Sequence, residues 1–82
     1  MTRDLTIFST PWCGYCVRLK RALDDAGVRY VEVDISVDEA SADLVMTVNG
    51  GNQTVPTVLF PDGGALTNPT FADVVDRLGQ NA

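Results

Sequence analysis

The spacing of apolar and polar positions changes several times along this chain, and each change marks an element. Leu5-Thr6-Ile7-Phe8 alternates and is rich in β-formers, which predicts a first strand that Ser9-Thr10-Pro11-Trp12 then breaks. From Cys13 the period lengthens: Cys16, Leu19, Leu23 and Ala26 recur at helical spacing, and Gly27 is placed to cap the helix. Arg-Tyr-Val-Glu-Val-Asp, residues 29–34, predicts a second strand. Ser36-Val37-Asp38-Glu39 has the Ser-x-x-Glu form of a capping box and predicts a second helix with Ala40, Leu44 and Val48 as its apolar face, ending at Asn49-Gly50. After a loop over Gly51–Val55, Pro56 stands at the head of a third strand, Thr57–Phe60. A proline fits there because a first strand residue need not donate to the ladder. Pro61-Asp62-Gly63-Gly64 is turn chemistry and returns the chain into a short strand near Ala65-Leu66-Thr67. The last helix is predicted to start at Asn68-Pro69 or Thr70 and to carry Phe71, Val74, Val75 and Leu78, with proline at its first position.

The predicted order is β-α-β-α-β-β-α, an α/β chain made of a parallel βαβ unit followed by a hairpin and a helix. At 82 residues the chain has the size of a single domain, 1–82, with room for one compact core. No apolar run approaches the roughly 18 residues a membrane helix needs, so no membrane partner is expected. Met1–Asp4 runs directly into the first strand without an apolar leader, which predicts a cytoplasmic address. A net charge of -5 argues against nucleic acid as a partner. Arg18, Lys20 and Arg21 cluster just after Cys13 and Cys16, and the plain reading of that cluster is a solvated helix face. Histidine is absent, which excludes Cys–His and Ser–His–Asp hydrolases and histidine-containing zinc sites.

Sulfur is what remains, and the chain's two cysteines are Cys13 and Cys16, in the run Cys13-Gly14-Tyr15-Cys16 at a strand-to-helix junction. That is the usual setting of a thiol–disulfide pair. Three residues of separation is nearly one helical turn, so both sulfurs fall on one face within disulfide reach. Cys13, at or just before the first helical residue, meets free backbone N–H groups and the positive end of the helix dipole, which favour an anion. Cys16 lies one turn further on the face that Leu19 and Leu23 direct inward. Cys13 is therefore the expected nucleophile and Cys16 the sheltered, resolving thiol. Asp24-Asp25 at the far end of the helix keep carboxylates away from Cys13. Two alternatives stay open. A structural disulfide closing so short a loop would contribute only about 2 kcal/mol. Half of a metal or iron–sulfur site would need a second chain or external ligands, since two thiolates do not complete a tetrahedral site. Trp12, beside the exposed thiol, is expected on a partner-contact surface, and Tyr15 lies between the cysteines, where it shields them.

Cys13-Gly14-Tyr15-Cys16 after a strand, Thr54-Val55-Pro56 before another, and the element order together resemble the glutaredoxin branch of the thioredoxin fold, along essentially the whole chain. The longer strings Trp12–Cys16, Val48–Val58 and Leu66–Pro69 are similar to the mycoredoxin family of actinobacterial, glutaredoxin-like enzymes. The resemblance implies a four-stranded mixed sheet flanked by helices, a cis Pro56, and a Val55 backbone that pairs with the incoming disulfide. It implies reduction of mycothiol mixed disulfides on S-mycothiolated proteins by a mainly monothiol route, with mycothiol as co-substrate and no bound cofactor or metal. NADPH would serve only the upstream reductase, and a monomer is expected. Ordinary glutaredoxins carry a lysine three residues before the nucleophile, where this chain has Thr10, and a Gly-Gly-x-Asp-Asp run that is replaced here around Asn68-Pro69-Thr70. Thr10, Gln53 and Asn68 are neutral and suit a thiol that presents sugar hydroxyls. Thr10, Trp12, Tyr15, Gln53, Thr54, Val55, Pro56 and Asn68 are thus the expected substrate-binding residues. Two rivals share the motif: a redoxin that donates electrons to ribonucleotide reductase, and a non-enzymatic dimer that carries an iron–sulfur cluster between two chains.

Overall fold

A computed structural model describes residues 4–80; residues 1–3, on which the absence of a leader is read, lie outside them. Strand β1 (Leu5–Ser9) leads to helix α1 (Gly14–Asp25), strand β2 (Tyr30–Asp34), helix α2 (Glu39–Val48), strands β3 (Thr57–Leu59) and β4 (Ala65–Thr67), and helix α3 (Phe71–Gln80). The sheet runs β2-β1-β3-β4. β1 pairs with β2 in parallel, while β3 is antiparallel to both β1 and β4. The sheet is therefore mixed, with β1 as a central strand whose flanks are both occupied.

Alternation along β1 separates two cores. Leu5 and Ile7 pack with Leu19 and Leu23 of α1, Val58 and Val74 on one face. Phe8 packs with Ile35, Ala42 and Val45 on the other, beneath α2. A strand covered on both faces has no solvent side, which is why β1 carries apolar residues at both parities. Helix α1 ends as its Gly27 predicted: Gly27 adopts φ 72°, its N–H reaches the Asp24 carbonyl, and the Val28 N–H reaches that of Leu23. This is a Schellman motif, and it turns the chain back into β2.

The sequence misplaces the caps and faces of the other helices. Asp38, not Ser36, caps α2: its carboxylate accepts from the Ser41 N–H at 3.1 Å, while the Ser36 hydroxyl donates to Asp34. The face that α2 buries is Ala42 and Val45, and the expected Leu44 and Val48 are exposed. Pro69 is not the first residue of α3 but precedes its cap. Thr70 Oγ1 accepts from the Asp73 N–H and the Asp73 carboxylate accepts from the Thr70 N–H, a reciprocal pair that starts the helix at Phe71. Val74 is fully buried on α3, and Val75 is turned outward. β2 starts one residue later than the sequence predicts, and β3 stops one residue short as Phe60 enters the turn to Gly64.

Candidate active site

Both cysteines sit where the end of β1 meets the start of α1, and the structure divides them sharply. Cys13 is the N-cap of α1: with φ -88° and ψ 108° it stands just outside the helix, and its Sγ accepts the Cys16 N–H at 3.1 Å. A sulfur here does what a serine or threonine oxygen does at ordinary helix starts. Cys13 is partly exposed, whereas Cys16 is 0% exposed and is counted in the core. Both are free thiols. Burial pushes the Cys16 thiol up to about 12, reinforced by its hydrogen bond with Cys13 and opposed by the Thr10 backbone and Lys20. Of the two sulfurs, only Cys13 is both accessible and held by a donor.

The loop preceding β3 forms the opposite wall. The Val55–Pro56 peptide is cis, and the Cys13 thiol donates to the Val55 carbonyl across 3.7 Å. The Val55 N–H has no hydrogen-bond partner among the described residues. Pro56 is buried, and its carbonyl accepts from the Asn68 N–H at 2.7 Å, with Asn68 in the left-handed region at φ 48°. A groove of about 430 Å³ runs between α1 and the start of α3, lined by Tyr15, Arg18, Leu19, Asn68, Pro69 and Thr70 among others. The Arg18 guanidinium lies over the Tyr15 ring at 5.3 Å.

The expected site residues separate into three groups. Thr54, Val55 and Pro56 form the loop that faces Cys13, and Tyr15 and Asn68 share the groove. Trp12 and Tyr15 project into solvent, 76% and 62% exposed. Thr10 turns its hydroxyl oxygen inward, buried and without a partner among the described residues, and Gln53 directs its amide to the Met46 sulfur at 3.5 Å. One residue that the sequence marked only as a helix exit carries the loop. Asn49 donates from Nδ2 to the Thr54 carbonyl at 3.2 Å and to Thr57 Oγ1 at 3.1 Å, and its Oδ1 accepts from the Thr67 hydroxyl. Its signal was weak but present: an asparagine ahead of Gly50-Gly51 is a helix C-cap, and caps hold neighbouring loops.

A glutaredoxin family profile matches residues 5–64, the span from β1 to the β3–β4 turn. The chain belongs to the glutaredoxin family. It is 54% identical over 78 residues to a glutaredoxin homologue of Mycobacterium tuberculosis, covering 95% of this chain and 93% of that one. It is 41% identical to mycoredoxin 1 of Corynebacterium glutamicum, covering 92% of each. Among solved structures, the buckwheat glutaredoxin–glutathione complex superposes with a TM-score of 0.69 at 26% identity, over 96% of this chain and 71% of that one. This glutaredoxin is thus a glutaredoxin-like disulfide oxidoreductase and a mycoredoxin homologue, built on the thioredoxin-type mixed sheet. No helix among its described residues is long and apolar enough to cross a membrane.

Proposed function

We propose that this glutaredoxin reduces mycothiol mixed disulfides on S-mycothiolated proteins, by a mainly monothiol route that starts at Cys13. The observation that carries the reading is the division of the pair: Cys13 is reachable and receives an N–H, while Cys16 is fully buried and its thiol is pushed up to about 12. The Cys13 thiolate attacks the mycothiol sulfur and the protein leaves as a thiolate, which takes a proton from solvent. A second mycothiol thiolate then attacks the Cys13-bound mycothiol sulfur, releasing oxidised mycothiol and regenerating Cys13. The NADPH that restores the mycothiol pool is spent by a separate reductase. The incoming disulfide lies along the Thr54–Pro56 loop, where the unpartnered Val55 N–H pairs with it as an added strand would. Identity to mycoredoxin 1 supports mycothiol as the thiol, as does the neutral character of Asn68 and Thr70 in the groove, whose single charged lining residue, Arg18, is stacked on Tyr15. We assign Trp12 and Tyr15 to the contact with the client protein, and a cytoplasmic, monomeric enzyme fits this role.

Turnover on one mycothiolated protein, with mycothiol or glutathione as reductant and each coupled to its own disulfide reductase, tests the assignment. Mycothiol is expected to win by at least about tenfold, equivalent to about 1.4 kcal/mol; equal rates would remove mycothiol as the preferred thiol. In the same assay Cys16→Ser retains most activity and Cys13→Ser has none. Equal loss in the two variants would sink the monothiol route.

A further inference from the structure

A polar cluster that the reaction above does not use ties β1 and β2 to α1. Ser9, the last residue of β1, is 1% exposed and shares the sheet face of Leu5 and Ile7, which pack under α1. Its hydroxyl donates to Glu32 Oε2 of β2 at 2.7 Å, and the same oxygen accepts from Lys20 Nζ. Glu32 stands opposite Ile7 in the parallel ladder, so its side chain leaves the sheet on the α1 side. Lys20 lies one helical turn after Cys16, and residues four apart share a helix face. Its side chain is only 24% exposed. As a staple this arrangement is weak, because ion pairs near the surface contribute about 0–1 kcal/mol. Its place is more telling: an ammonium anchored from β1 and β2 stands on the helix face of the buried sulfur.

We propose that Lys20, anchored by Glu32 and Ser9, is a positioning residue that holds a positive charge beside Cys16 and so sets the rate of the resolving step. The proposal rests on the reading that Cys13 attacks first and Cys16 second. In that second step Cys16 loses its proton to solvent and its thiolate attacks Cys13 Sγ in a Cys13–S–S–R mixed disulfide. The Cys13–Cys16 bond forms, the bond to R breaks, and the leaving RS⁻ takes up a proton; the cysteine pair is oxidised and R is reduced. Charged and titratable groups face Cys16 from a short list of elements. Cys13 caps its helix and Lys20 lies on it, the Thr10 backbone comes from the turn before it, and Glu32, with Asp34 near it on β2, lies beyond Lys20. Burial opposes the Cys16 thiolate, and Lys20 is the one cation among these groups that favours it.

One equivalent of a dipyridyl disulfide, added to the reduced protein, separates the two steps by its chromophore. Attack by Cys13 releases the first thiopyridone and attack by Cys16 the second. Lys20→Met is expected to slow the second release by roughly three- to tenfold at fixed pH, moving its pH profile up by roughly half to one unit. The first release stays as in the parent, and Lys20→Arg, which keeps the charge, restores most of the second. An unchanged second phase in Lys20→Met, equal slowing of both phases, or no rescue by arginine would each overturn the proposal. Cys16→Ser, which should show the first phase alone, isolates the underlying reading: a second phase surviving in that variant would overturn the cysteine assignment itself. Circular dichroism melts of every variant establish that the rates compared are those of folded protein.

Discussion

Asn49 illustrates how one side chain can set a site it does not enter. It bonds the Thr54 carbonyl and the hydroxyls of Thr57 and Thr67, so the end of α2, the loop facing Cys13 and both strands of the hairpin share one amide. Thr57 is 1% exposed, and without Asn49 its hydroxyl would keep only its own bond to the Thr54 carbonyl. Asn49→Ala is expected to cost about 1–3 kcal/mol in urea unfolding, because it strands buried polar groups. Its effect on turnover should fall mainly on KM for the disulfide, since the loop is displaced while the sulfurs stay in place; a fall in kcat alone would contradict this role. Cys13 and Cys16 themselves were legible from spacing, because a strand-to-helix junction leaves little choice about which sulfur meets the free N–H groups. Asn49, Lys20 and Glu32 were not. Their importance lies in partners 5 to 23 residues away along the chain, which local patterns do not encode.

At the scale of elements, the second helix shows where periodicity stops being informative. Ala40, Leu44 and Val48 form a helical stripe, and so do Ala42, Val45 and Met46 beside it. Both satisfy the 3.6-residue period, and only the position of Phe8 on β1 and Ile35 just after β2 decides that Ala42 and Val45 go inward. The first helix posed less of a choice, since Arg18, Lys20, Arg21, Asp24 and Asp25 take up much of its remaining surface around Leu19 and Leu23. Its late acidic pair and early bases, unfavourable to the dipole, persist in the structure, with neither acid in the first turn nor base in the last. Capping was misread for a related reason: Ser36 and Asp38 both precede the apolar run, and Ser36 is already engaged in a turn with Asp34. Asp38→Ala should therefore cost about 1 kcal/mol in urea unfolding. Ser36→Ala should stay within about 0.5 kcal/mol of the parent. The reverse order would restore Ser36 as the cap.

The whole molecule gathers these elements so that one buried thiol and one partly buried phenol resist ionisation. Burial pushes the Cys16 thiol from 9.0 up to about 12, and burial with an Asp24 hydrogen bond pushes the Tyr30 phenol from 10.0 up to about 12. The unfolded chain releases those protons earlier, so above pH 9.0 it binds fewer protons than the fold and stability must fall as pH rises toward about 12. Urea unfolding of the reduced protein across that window should show the decline, beginning nearer pH 10.0 in Cys16→Ser, where only Tyr30 contributes. A flat profile would contradict it. Glu32 acts in the opposite direction: Lys20 and Ser9 hold its carboxyl low, so its contribution is present above 4.5 and fades on acidification. That share is small, because more than a third of the side chain meets water.

Trp12 is the only tryptophan, and it directly precedes Cys13 in the chain with three quarters of its surface already in water. Unfolding changes the surroundings of such an indole very little, whereas a bulky thiol joined to its neighbour changes them at once. The intrinsic emission of this glutaredoxin is therefore an optical gauge of whether one sulfur is occupied. It is nearly blind to the packing of the two cores beneath.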